Sequence, residues 1–338
     1  MMQLPLRGQL ALWRSTMVAR VHVACLVLIA ASTAAHVGQA ATRQMYSFDA
    51  YQLSAGEHVA VNVWELDVHL RGADAHKVRV STDLHISGTG ADKADAWIQA
   101  RTPTVDRIEH GLTITTARGD EGFLGLGALT RRRRIGIVLP LTSVPDVTTS
   151  SGRISIEGDF ASANPLRLRT AGGDVAFLGA ADSLEIRTTS GNSTLHFVRP
   201  LNRLWTRTSS GRVEMDGGAR SVEIETASGD IELAGLSGNA KVETVSGNIV
   251  VQWDHLPDDA SVKLRSIKGR ITVMLPPESA PQGRLSTSSG AVSSDFAGRV
   301  ADDGLSMSLT GDGPVLDIET ASGAIEVRAD SGWFAPQP

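Results

Sequence analysis

The sequence predicts an all-β fold: a single-chain parallel β-solenoid (β-helix) of about 18–22 residues per coil, wound right-handed and preceded by irregular β-structure. Three observations carry this expectation. A T-x-S-G unit recurs along the chain, as in TASGDIEL and TVSGNIVV within residues 222–253. The apolar residues around each unit alternate with period two. Their parity changes at the glycine.

The N-terminus carries Arg7, Arg14 and Arg20 without an acidic residue, then the apolar run Val21 to Ala35, then small residues up to Ala40. This is the order of a secretory signal, and cleavage is predicted after Ala40, making residues 1–40 a signal peptide. Cys25 precedes most of the apolar run, unlike a lipid-acceptor cysteine. Without residues 1–40 the net charge moves from -5 to -8 and no cysteine remains, so an exported chain must be held by its core alone. The acidic balance argues against nucleic acid as a partner, and no stable transmembrane span is expected in the mature chain.

Residues 41–145 read as an N-terminal β region, either a separate sandwich or capping or degenerate first coils. VAVNVWELDVHL, KVRVSTDLHI, GLTITT and RRIGIVLPL each alternate in part. Residues 146–330 carry the repeat. Its glycines are Gly152, Gly173, Gly191, Gly211, Gly229, Gly247, Gly269, Gly290 and Gly323, with only the last step much longer than the rest. Two and four residues after each glycine the chain is apolar, except at Ser193 and Ser294. Five residues before it stand Val147, Leu168, Ile186, Thr206, Ile224, Val242, Leu264, Leu285 and Ile318.

A strand with one buried face keeps its parity, so a one-residue change means that the chain bends at the Ser-Gly pair. Glycine suits that corner because it tolerates positive φ and close approach by the next coil. The Thr or Ser three residues earlier forms a hydroxyl column placed to hydrogen-bond between coils. Coils stacked at about 4.8 Å give a rod on the order of 40 Å long, whose two ends need caps. Around LSMSLTGDG the long step holds an atypical coil or hairpin. Residues 331–338 are expected to cap the Gly323 coil as the last one, through Trp333 and Phe334.

These T-x-S-G-x-I-x-V units, after an exported segment and an IGIVLP strand, resemble the bacterial domain-of-unknown-function family labelled "putative adhesin". The resemblance covers about residues 45 to 328. It implies an exported, non-enzymatic envelope protein, located in the periplasm, at the outer-membrane surface or secreted, with no catalytic residues to carry over.

The outward position after each glycine reads Arg153, Asp174, Asn192, Arg212, Asp230, Asn248, Arg270, then Ala291 and Ala324. As a ladder it forms a candidate strip for reading a regular polymer such as a glycan. The plainer account, which is preferred, is turn chemistry with alternating charge. Asp174 and Asp230, three coils apart, are too distant for a paired acid and base. Arg131, Arg132, Arg133 and Arg134 form the one dense basic run. It is a candidate for anionic glycan, lipopolysaccharide phosphate or headgroups, but is read first as a loop guarding the edge of the following strand.

Nine histidines, His69, His76 and His85 among them, show no metal-ligand spacing, and no cofactor is expected. GDEGFLGLG at 119–127 lacks a P-loop lysine, and Arg118-Gly119-Asp120 is read as a chance tripeptide. Trp64, Trp97, Trp205 and Trp253 form no aromatic platform and are assigned to core or coil-edge packing. No residue is given a catalytic role. Two other functions remain open: a carbohydrate-active β-helix enzyme, and a periplasmic envelope-stress or signalling partner.

Overall fold

The computed structural model describes residues 41–118, 130–160 and 165–330. Within them lie two large sheets, of 13 and 14 strands, in which most neighbours are parallel. Chain segments alternate between the sheets, so each strand pairs with the equivalent strand one repeat further on. Each coil is named below by its corner glycine.

The inner column of the first sheet runs Ile154, Val175, Ser193, Val213, Ile231, Ile249, Ile271, each residue the register partner of the next. Facing it, the second sheet stacks Val147, Leu168, Ile186, Thr206, Ile224, Val242 and Leu264. All of these are buried in one continuous core. Burying each large aliphatic side chain contributes about 1.5–3 kcal/mol, and the repeat multiplies that term along the stack.

The corner is built as the parity change requires. Gly211 has φ +123°, and a Cβ on Gly229 would stand 2.1 Å from the Gly211 carbonyl oxygen. The hydroxyl column is buried. It works in two ways. Thr170, Ser266, Thr320 and Thr287 donate to the carbonyl of the neighbouring coil's corner glycine, whereas Thr188, Thr208 and Thr226 donate to a carbonyl two residues on in their own coil.

The stacking order departs from the sequence order at the C-terminal end. The strands Val315–Ser322 and Ile325–Ala329, which belong to the Gly323 coil, lie directly on the Gly269 coil. The earlier Gly290 coil, Gln282–Ser289 and Val292–Ser294, stacks outside them. The expectation that the Gly323 coil is the last and open one is therefore corrected. Apolar content gives the reason. Ile318, Ile325 and Val327 can be covered on both sides, while the coil carrying Ser294 takes the end. The outer edge of Gln282–Ser289 is then paired antiparallel by Ser306–Thr310, which also pairs with Gly298–Val300, confirming a hairpin in the long step. Trp333 and Phe334 lie outside the described residues.

At the other end, His58–Val63 and Asp67–Ala73 stack on the Gly152 coil as one more coil without a Ser-Gly corner. The Leu66 carbonyl takes the place of a corner glycine's, and Glu65 makes the bend at φ +58°, the one positive φ outside glycine among the described residues. The region also holds an α-helix, Ala91–Arg101, which the β reading of residues 41–145 did not include. It buries Ala94 and Trp97 against Ala41–Gln52 and Lys77–Thr89. Its Arg101, 2% exposed, binds Glu65 at 2.6 Å and lies 4.7 Å from the centre of the Trp97 ring.

Two polar positions enter the inner columns. Ser193 and Thr206 are each 1% exposed, and neither hydroxyl has a partner among the described residues. Thr206 sits between Ile186 and Ile224. Thr206→Val, nearly the same shape, is expected to stabilise the fold by about 1 kcal/mol by removing an unsatisfied buried hydroxyl, a rise of about 2–4 °C in Tm by calorimetry.

Candidate functional site

The outward ladder is present, and backbone chemistry accounts for much of it. An Asp or Asn after the corner glycine turns its side-chain oxygen toward the next coil and accepts the N–H of the next ladder residue. Asp174 does so for Asn192 at 2.9 Å, Asn192 for Arg212 at 2.9 Å, Asp230 for Asn248 at 2.8 Å and Asn248 for Arg270 at 3.0 Å. These amides lie outside the regular strand pairing, so the side chains complete the corner. Asp67 does the same for Arg153 at 3.0 Å in the first, degenerate coil. It is a ladder member that the sequence reading missed. Its signal was D-V-H-L, with Val68 and Leu70 in the inner columns, but no Ser-Gly precedes it.

The arginines fall where the Asp-Asn succession breaks. Arg153 reaches Asp174 at 3.1 Å, and Arg212 lies 3.9 Å from Asp230 and 3.7 Å from Glu232. Such half-exposed pairs contribute at most about 1 kcal/mol each.

Near the C-terminal end the ladder changes character. Arg270 is followed in space by Ala324, and beside them lies a groove of about 620 Å³. Asp230, Glu232, Asn248, Arg270 and Thr272 line it, with Gly269 and Gly323 at the corner. Glu232 and Thr272 were not singled out in the sequence, because an outward position is recognisable only once its neighbours are known. Across the corner Val245 and Ile267 are half exposed. The groove unites Asp230, Asn248 and Arg270 of the predicted strip, whereas Arg153, Asp174 and Asn192 lie on coils beyond it.

The basic run is not an edge loop. Arg131–Arg134 belong to the strand Thr130–Pro140, which lies between Lys77–Thr89 and Asp67–Ala73 inside the first sheet. The edge-guarding expectation is therefore corrected: this strand has no free edge. Period-two alternation divides the run. Arg133 shares the face of Ile135 and binds Glu65 at 3.2 Å, while Arg132 lies on the opposite face, 3.4 Å from Asp83. The run is thus divided between two faces of the sheet, with Arg134 on the same face as Arg132.

Burial, with help from the Arg134 charge, holds the His69 imidazole below its ordinary range. Among the described residues no three His, Cys, Asp or Glu side chains converge as a metal site, and no helix is long and apolar enough to cross a membrane. Trp253 is a core residue donating to the Gly238 carbonyl at 2.8 Å. Trp64 and Trp205 instead carry Arg118 and Arg187 over their rings. Residues 119–127, including Gly119 and Asp120, lie outside the described residues.

Two packed, mostly parallel sheets with tight glycine corners and a polar outer groove define a solenoid-like all-β protein without an evident catalytic centre among the described residues. The family model for Toastrack DUF4097 matches residues 57–328, and the chain belongs to that family. Among solved structures it is similar to a "putative adhesin" of Bacteroides fragilis, at 14% identity over 84% of this chain and 97% of that one, with TM-score 0.39. A second "putative adhesin", of Parabacteroides distasonis, is 11% identical over 83% and 96% with TM-score 0.43. A "putative lipid binding protein" of the same species is 13% identical over 86% and 97% with TM-score 0.42. No curated protein matches the chain.

Proposed function

We propose that this protein is a non-enzymatic, exported cell-envelope module that binds glycan or another envelope component through the outer face of its coils. In this reading residues 1–40 are removed, 41–145 cap the stack, and 146–330 form a right-handed single-chain solenoid with a tail at 331–338. The protein resides in the periplasm, at the outer-membrane surface or outside the cell. The observation that supports binding most directly is the groove between Asp230 and Ala324, where hydrogen-bonding side chains line an open space.

One feature favours a second reading, a carbohydrate-active enzyme: Asp230, Glu232 and Arg212 converge. Yet the Asp230 and Glu232 side chains are 39% and 41% exposed, and Asp230 accepts a backbone N–H. Neither sits in an enclosed cleft.

Cell fractionation followed by a screen against glycans and envelope lipids tests the proposal. Binding should weaken at least about tenfold in Arg270→Ala, a loss of about 1.4 kcal/mol, with Tm unchanged. Absence of binding to cells, glycans and envelope lipids overturns it. New reducing ends released from a polysaccharide would establish the enzyme instead.

A further inference from the structure

The sheets end in four strands, and three of them are guarded. The second sheet ends in Thr104–Ile108 and Gly298–Val300, and the first ends on one side in Val292–Ser294. All three are short, and Thr104–Ile108 also carries Asp106 and Arg107. Brevity and charge are the usual means by which open edges avoid pairing.

The fourth end is different. Ala41–Gln52 is 12 residues long, contains no Pro or Lys though it carries Arg43 and Asp49, and among the described residues pairs along its whole length with Lys77–Thr89 on one side only. On its outward face Tyr46 is 53% and Phe48 51% exposed. A long edge with aromatic side chains offers both unpaired backbone groups and apolar area to a partner strand.

We propose that this edge pairs antiparallel with the same strand of a second copy, across a two-fold axis at Tyr46. Residues directly opposite in an antiparallel pair share a face, so an axis at Tyr46 sets residue 43 against 49 and residue 44 against 48. Arg43, which already holds Asp95 of its own chain at 2.6 Å, then also faces the partner's Asp49, twice over by symmetry, and no two strand residues of like charge are directly opposed. Gln44 lies against the partner's Phe48, and the two Tyr46 rings meet at the axis. Moving the axis to Ser47 sets Met45 against the partner's Asp49 and loses the charge pair. Overlap from Thr42 to Ala50 supplies roughly eight to ten backbone hydrogen bonds. A two-fold contact closes on itself, so the product is a dimer and not a fibre. The inference needs residues 1–40 to be cleaved, as proposed above, but does not depend on what the groove binds.

The test uses the protein exported with its own leader, its N-terminus read by mass spectrometry. Sedimentation across a dilution series should show a dimer dissociating to monomer. Tyr46→Lys with Phe48→Lys should give monomer at every concentration, with the Tm of the parent diluted to its monomer. On oxidation Tyr46→Cys should cross-link to a dimer, whereas Leu178→Cys, at another exposed position, should not. A parent that is monomeric throughout, or a dimer that survives the two lysines, overturns the proposal. A lysine-sensitive dimer that does not cross-link through position 46 overturns the axis.

Discussion

Ile231→Asp is expected to break the stack, while its neighbour Asp230→Ala leaves it folded. Ile231 is fully buried between Val213 and Ile249 in the inner column. A carboxylate there has no partner in an aliphatic core, and either its ionised form or the protonation that relieves it costs at least about 4 kcal/mol. In a one-dimensional stack the damage falls on the interfaces with the Gly211 and Gly247 coils. Far-UV circular dichroism should therefore show a lowered and broadened thermal transition. Asp230, one residue earlier, points outward and accepts one backbone N–H at 2.8 Å. Its truncation should cost about 1 kcal/mol. Two variants that both melt like the parent would contradict the inner and outer assignment of the strand.

Gly229→Ala should be nearly as severe, for a reason that hydrophobicity does not predict. Gly229 has φ +145°, and the added methyl would meet the Gly211 carbonyl oxygen at 2.1 Å and its carbon at 2.7 Å. These are backbone atoms held by the adjacent coil, so relief requires the coils to separate. A loss of about 3 kcal/mol is expected from denaturant unfolding. Gly304→Ala is the comparison: φ is +69°, but nothing lies within 4 Å of the methyl, so only the backbone term of about 1 kcal/mol applies. Gly229→Asn should not recover the parent's stability, because Asn tolerates positive φ but still carries a Cβ. Equal losses at positions 229 and 304 would show that conformation, not crowding, makes the corner a glycine.

The inner columns and the corner were legible because they are local properties repeated many times. Period-two alternation fixes which side chains enter the core, and the parity change fixes where the chain bends. Spatial order was not legible in the same way. T-x-S-G marks the Gly290 and Gly323 coils as equivalent, but equivalence does not say which lies next to Gly269. That is decided by the poorer apolar content around Ser294 and by the Ser306–Thr310 strand closing the outer edge. The basic run was misread for a related reason. Four consecutive arginines look like a solvated loop, yet Thr130–Pro140 receives antiparallel pairing from Lys77–Thr89, more than forty residues earlier. The helix Ala91–Arg101 offers little apolar periodicity to detect. At the candidate site the sequence supplied Asp230, Asn248 and Arg270, but the groove also takes in Ala324, two repeats away in sequence and adjacent in space.

The inserted coil also bears on how the protein is completed. A chain that emerges N-terminus first from the ribosome delivers the Gly290 coil before the Gly323 coil that must lie beneath it. Growth coil by coil can therefore proceed only as far as Gly269. The finished end waits for the last described strands to arrive, and a protease that trims Val315–Ala329 removes an interior layer, not a dispensable tail.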